Sequence, residues 1–366
     1  MIFYGSKMEF VEQLPDHYEN LTEIVYEVDK DSKQLTLLVP VIKGENTEEK
    51  EEEKRFVENL VISSDEYAGV REHVIINFGN FLAKLDVQNI YLQNPPSHIS
   101  QQIQRLYNDV DIQHQKYTEI SIKHLKEIRK TYPSKVIGQD GVKTEIIQAL
   151  FPLTLSTRKK PVVLMFYGKS GIGKTETAKY LANIVKESLF RKQFSMFQNN
   201  QFSTYLFGGA HYEKSFAKDL LDRESNILLL DEFDKAHPSF HSAFYQLFDE
   251  GIYEDQNYFL ELKKSVIICT SNYQDLDEIE KELGSAIFNR FDKMIKFTDL
   301  SNEAKNEIGK KRFLELSSQY NKQYRKKLPQ NIKDRLEGCY SECENARQIS
   351  RLIEDTLSYY LVSEIE

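Results

Sequence analysis

Pro161-Val-Val-Leu-Met-Phe-Tyr167 runs directly into Gly168-Lys-Ser-Gly-Ile-Gly-Lys174-Thr175. The first seven residues carry no charge and read as a strand buried on both faces. Thr175 to Val185 continues as a helix, so the glycine-rich turn lies between strand and helix. In that context Gly-x-x-x-x-Gly-Lys-Thr is a phosphate-binding loop. Glycines let successive backbone N–H groups point inward at phosphate oxygens, and the positive end of the helix dipole adds to them. Lys174 brings a positive charge to the outer phosphates, and the Thr175 hydroxyl is suited to Mg2+. The candidate nucleotide-binding residues from this stretch are Gly168, Lys169, Ser170, Gly171, Ile172, Gly173, Lys174, Thr175 and Glu176.

Working outward, Ile227-Leu-Leu-Leu230 is a second buried strand and ends in Asp231-Glu232. An acidic pair at the end of such a strand, after a phosphate loop, places Asp231 beside the metal and Glu232 where it can polarise an attacking water. A third strand, Ser265 to Thr270, leads into Ser271-Asn272. There the Asn272 amide is suited to orienting a water or touching phosphate, and a simple turn residue is the other reading. Arg290 in Phe288-Asn-Arg-Phe-Asp292 and Arg347 in Asn345-Ala-Arg-Gln-Ile349 are weak signals by themselves.

Over the whole 366 residues, 40% are hydrophobic and 29% charged, the balance of an ordinary globular chain of two or three domains. A net charge of -9 argues against a protein that grips nucleic acid over its whole surface. Cys269, Cys339 and Cys343 form no metal-ligand pattern, and so few cysteines fit a reducing compartment. No leader peptide and no apolar run of spanning length stands out, so a cytoplasmic, membrane-free location is expected.

Alternation of strands and helices begins at Val136 and predicts a parallel sheet covered on both faces. Beyond Leu300 only helices are expected. The predicted organisation is an α+β domain over 1–97, a helical linker over 98–132, an α/β nucleotide domain over 133–299 and a small helical lid over 300–366. Within the first domain, Leu35 to Val39 and Val74 to Phe78 read as strands, and the charged stretch Gly44 to Lys54 as a loop in preference to an exposed helix start.

Taken together these motifs resemble the AAA+ ATPases of the Clp/HSP100 group, from Val136 to about Ile365. Val136-Ile-Gly-Gln139 is similar to the family's entry motif, which implies that Ile137 packs against adenine. Phe233-Asp-Lys-Ala-His-Pro238 and Leu247-Phe-Asp-Glu-Gly251 also fall where the family has them. The resemblance implies ATP and Mg2+ as cofactors and a catalytic set of Glu232, Asn272, Arg290 and Arg347. In it Asn272 is the first sensor, Arg290 the arginine finger acting on a neighbouring subunit, and Arg347 the second sensor in the lid. It further implies a homo-oligomeric ring, most simply a hexamer, that works on a protein partner.

Two stretches depart from that pattern. The family's gripping motif in the central pore is missing, and Tyr205-Leu-Phe-Gly-Gly-Ala-His-Tyr-Glu-Lys214 stands in a shorter segment before the acidic strand. Tyr205, Phe207, His211 and Tyr212 are read either as substitutes or as packing residues. The acidic segment Gln274 to Gly284 lacks an apolar loop for docking a barrel protease, so no such partner is expected. The leading expectation is ATP-driven remodelling or unfolding of a protein recognised by the N-terminal domain. The alternative is an ATP-dependent oligomeric switch that acts on an effector without threading it.

Overall fold

The computed structural model describes residues 1–26, 54–196, 201–321, 324–325 and 328–362. They form two compact units. The first comprises residues 1–117 together with 199–224 and 252–261, and the second the remainder.

In the first unit, β1 (Ile2–Tyr4), β2 (Glu19–Asn20), β3 (Arg55–Ile62), β4 (Leu85–Gln93) and β5 (Ile112–His114) make one sheet in the order β2-β3-β4-β1-β5. Expected as α+β, this region has every strand parallel to its neighbours. Val74 to Phe78, expected as a strand, is helical, within helices Glu72–Ile76 and Phe78–Leu82. The reason is visible in what is buried: Ile75, Phe78 and Leu82 face the core at i, i+3 and i+7, a helical spacing, while Ile76 is exposed. Tertiary packing overrides the β-propensity of the Val-Ile-Ile run. Leu35 to Val39 and residues 44–53 of the charged stretch lie outside the described residues. The expected linking helices are Ser97–Leu106 and Ile122–Lys135, with β5 between them.

Two further segments complete this unit. Helices Gln201–Phe207 and Phe216–Leu221, and a hairpin of β9 (Ile252–Glu254) with β10 (Phe259–Glu261), cluster with residues 1–117. The Asp222 carboxylate accepts from the Lys7 backbone at 3.1 Å and from the Gln93 amide at 3.1 Å. His211 bonds the Val70 carbonyl at 2.9 Å.

The second unit is built on β6 (Val162–Tyr167), β7 (Phe190–Gln193), β8 (Ile227–Asp231), β11 (Val266–Thr270) and β12 (Lys293–Lys296). They lie parallel in the order β12-β6-β11-β8-β7. β6, β8 and β11 are buried along their whole length, and all but the terminal Asp231 of β8 are uncharged, as runs covered on both faces require. Ile146 and Leu150 from helix Asp140–Leu150, and Leu181 and Val185 from helix Lys174–Val185, supply part of the covering core. The stretch after Pro238 begins as 3-10 turns and becomes α-helical only over Tyr245–Asp249. Gly251, with φ of +80°, ends it.

After Leu300 the described chain is helical: Asn302–Gln319, Ile332–Glu337 and Ala346–Val362 pack around Leu316, Tyr340, Ile349, Ile353 and Leu357. Gly309 admits the Tyr340 ring, whose carbon would lie 2.4 Å from a Cβ there.

Candidate functional site

β6 delivers the chain to Gly168 at the carboxyl edge of the sheet. Gly168, Gly171 and Gly173 have φ of +127°, +77° and +116°, left-handed values that an L side chain rarely adopts. Sterics add to the requirement at Gly168, where a Cβ would sit 2.4 Å from the Phe297 carbonyl oxygen. Helix Lys174–Val185 then starts with Gly173 as its cap. Its first-turn N–H groups, which have no partner within the helix, face the cleft together with the loop. Gln139 fastens the loop from behind, its amide donating to the Ile172 carbonyl at 3.0 Å and the Thr298 carbonyl at 2.8 Å.

Lys174 is buried, and its ammonium donates to the Gly168 carbonyl, to the Lys169 carbonyl at 2.7 Å and to the Asn272 side-chain oxygen at 3.2 Å. Burial pushes its pKa down to about 8, partly offset by the nearby carboxylates of Asp234, Asp231 and Glu232. A desolvated cation held by neutral oxygens is prepared for an anion that brings charge of its own.

The acidic pair ends β8. Asp231 accepts the Thr270 hydroxyl on Oδ1 at 2.6 Å, and on Oδ2 accepts Arg191 Nη2 at 2.5 Å and Nε at 3.0 Å. Glu232 adopts φ +55° and ψ +45°, a left-handed conformation that costs a non-glycine residue about 1 to 3 kcal/mol where the surroundings enforce it. Its N–H donates to the Thr270 hydroxyl oxygen at 2.9 Å. The Gln193 amide donates to Glu232 Oε2 at 3.0 Å. Hydrogen bonds from Ser195 and Gln193 hold the Glu232 carboxyl below its ordinary range.

The helical lid closes one side. Ala346 N–H donates to the Gly171 carbonyl at 3.1 Å, and Arg347 Nη1 donates to the Ser170 hydroxyl at 3.0 Å. Between loop, sheet edge and lid lies an open cleft of about 1000 Å3. Ile137, Lys174, Thr175, Glu176, Asp231, Glu232, Asn272 and Arg347 all line it. The Lys169 side chain points away to Asp299 at 2.5 Å, and its carbonyl accepts from Lys174. Arg290 is the exception among the expected catalytic residues. It is absent from the lining and is held by Asp249 at 2.8 Å, with its guanidinium 4.1 Å from the centre of the Tyr245 ring.

The donor set suits magnesium nucleotide. Nested N–H groups and Lys174 fit phosphate, and the Thr175 hydroxyl and Asp231 carboxylate are hard oxygen ligands of the kind that bind Mg2+ together with phosphate oxygens. Arg191, Gln193, Ser195 and Thr270 are additions that the motifs did not name. The signal for Arg191 and Gln193 is faint, because Phe190-Arg-Lys-Gln193 has no apolar run to mark it as a strand.

Residues 159–338 match the family model described as AAA domain (Cdc48 subfamily). The chaperone protein ClpB of Malacoplasma penetrans is 28% identical over 224 residues, 55% of this chain and 32% of that protein. The ATP-dependent Clp protease ATP-binding subunit ClpL of Staphylococcus aureus is 28% identical over 272 residues, 66% of this chain and 39% of that protein. Among solved structures, the S. cerevisiae Hsp104-ADP complex superposes with a TM-score of 0.53 at 23% identity, covering 66% of this chain and 48% of that one. The chain spans about a third of the length of these curated relatives.

Proposed function

This chain carries an AAA module of the Clp/HSP100 kind, and from that premise we propose that it hydrolyses ATP in a ring of identical subunits, most simply six, and spends the turnover on remodelling a protein partner bound through its N-terminal unit. The observation that carries this reading is the meeting of Lys174, Asp231, Glu232, Asn272 and Arg347 on one cleft.

Each residue has a role in the transfer of the terminal phosphoryl group. The glycine loop and Lys174 bind and orient the phosphates, Lys174 having been preset by the three carbonyl-type oxygens it now holds. Thr175 and Asp231 would hold Mg2+, which when bound would supply positive charge to the phosphate oxygens. Glu232 accepts hydrogen bonds from Gln193 and Ser195 and is kept deprotonated at neutral pH. Turning from those partners to a water, it takes the proton as attack proceeds. Asn272 fixes Lys174 and, once Lys174 turns to phosphate, is available to orient the same water. Arg347 links the lid to the loop, so loss of the terminal phosphate loosens or shifts the lid. Arg290, outside its own cleft, serves the cleft of the adjacent subunit and makes turnover depend on assembly.

Phosphate release and ATP binding by Glu232→Gln test the assignment. Turnover is expected to fall at least 100-fold, the lower range for loss of a general base, with binding retained. Unaltered turnover rejects it.

A second reading has a specific observation behind it. Tyr205 and His211, candidates for gripping a threaded chain, are buried, with the Tyr205 hydroxyl on Asp219 at 2.5 Å and His211 on Val70. The other two candidates, Phe207 and Tyr212, are exposed. This favours an ATP-dependent oligomeric switch that regulates an effector without threading. The Phe207→Ala/Tyr212→Ala double variant discriminates: retained biological activity with normal ATP turnover supports the switch, and lost activity with normal turnover supports threading.

A further inference from the structure

Both oxygens of the Asp231 carboxylate are engaged by the protein itself, and the two partners differ in kind. Thr270 stands on the central strand β11 and offers a neutral hydroxyl. Arg191 stands on β7, the edge strand beside β8, and offers a full positive charge through two N–H groups on Oδ2. A hydroxyl shares a carboxylate with a metal ion without electrostatic conflict. A guanidinium on the same oxygen competes with it. Its side chain is 42% exposed and lines the cleft, so it is able to swing aside, whereas the Asp231 side chain is 8% exposed and fixed.

We propose that Arg191 is a positioning residue, the resident counter-cation of Asp231, which balances the carboxylate while the metal is absent and yields Oδ2 when nucleotide arrives with Mg2+. The proposal rests on the Mg-nucleotide reading of the cleft. Asp231 and Glu232 both line the cleft, so two carboxylates stand where a polyphosphate must enter. A buried carboxylate without a partner is costly and repels the incoming anion. Arg191 removes that repulsion when no metal does so. Once Mg2+ is in place its own charge does the same, and the guanidinium is dispensable for binding. The planar fork explains why arginine stands here, since it places two donors on one oxygen. Alternation along β7 puts Gln193 on the same face as Arg191, so both β7 side chains reach the acidic pair together.

The test is binding of a fluorescent ATP analogue to the full chain, in EDTA and in saturating Mg2+, for the native protein, Arg191→Gln, Asp231→Asn and the double variant. Arg191→Gln is expected to weaken metal-free binding by about tenfold or more, within the usual range of site coupling, and metal-loaded binding by less than about threefold. In the Asp231→Asn background the same substitution is expected to leave metal-free binding unaltered, because no charge remains to balance. Equal losses with and without Mg2+, unaltered metal-free affinity, or a full effect in the Asp231→Asn background overturns the proposal. If Arg191→Gln alone fails to fold by thermal melting, the comparison of Asp231→Asn with the double variant decides it. A native chain that binds no nucleotide in either condition overturns the cleft assignment as well, which separates the two failures.

Discussion

The Lys174 ammonium donates to the Asn272 side-chain oxygen at 3.2 Å, tying the phosphate loop after β6 to the end of the neighbouring strand β11. The contact places the positive charge between the two elements that must sense phosphate. It also explains the low pKa, since Lys174 is desolvated there and its direct partners are neutral oxygens.

Nucleotide affinity should therefore depend on pH. With the Lys174 pKa pushed down to about 8, the free protein loses this proton as pH rises through 8. Bound phosphate favours the ammonium and raises the pKa, so binding takes up a proton above that point. Titration calorimetry from pH 7 to 9.5 should show affinity falling through this window, with an enthalpy that tracks the ionisation heat of the buffer. Affinity independent of pH across it would contradict the assignment of Lys174.

Turnover should carry a second pH signature, from Glu232. Ser195 and Gln193 lower its pKa by hydrogen bonding to the carboxylate, and a base works only when deprotonated. Gln193→Ala or Ser195→Ala removes one bond and lets the pKa rise towards its ordinary value. The acid limb of the kcat profile is then expected to move to higher pH in both variants. A limb that stays in place would mean that these bonds do not set the ionisation of the base.

Two glycines offer opposite stability changes. Gly168→Ala introduces a Cβ at φ +127° and within 2.4 Å of the Phe297 carbonyl oxygen. A cost of about 1 to 3 kcal/mol follows, lowering Tm by several degrees. Gly141→Ala, inside helix Asp140–Leu150 with nothing within 4 Å of the new Cβ, is expected to stabilise by about 0.4 to 1 kcal/mol. Differential scanning fluorimetry checks both.

Much of the cleft was legible because its chemistry is local in sequence. The loop Gly168 to Thr175, the strand end Asp231-Glu232 and Asn272 each follow an uncharged strand, and a parallel sheet brings such ends to one edge. Arg191 and Gln193 were not legible. They stand on a short polar edge strand about 40 residues before the carboxylates they touch, and only the β7–β8 ladder brings them together. The N-terminal unit was harder still. Strands β3 and β4 alternate weakly, and the Val74-Ile-Ile run carries strand propensity while folding as helix. Its completion by residues 199–224 and 252–261 has no local signal, since it depends on long-range contacts such as His211 with Val70 and Asp222 with Lys7.

Mixing two inactive variants shows whether ATP is hydrolysed at a site completed by a neighbouring copy. Arg290→Ala lacks the finger but keeps its own cleft, and Glu232→Gln keeps the finger but lacks the base. Phosphate release is expected to be low for each alone and to recover on mixing, because Glu232→Gln subunits lend Arg290 to the intact clefts of their neighbours. Full turnover by Arg290→Ala alone, or no recovery in mixtures that demonstrably co-assemble, would rule out a site shared between subunits.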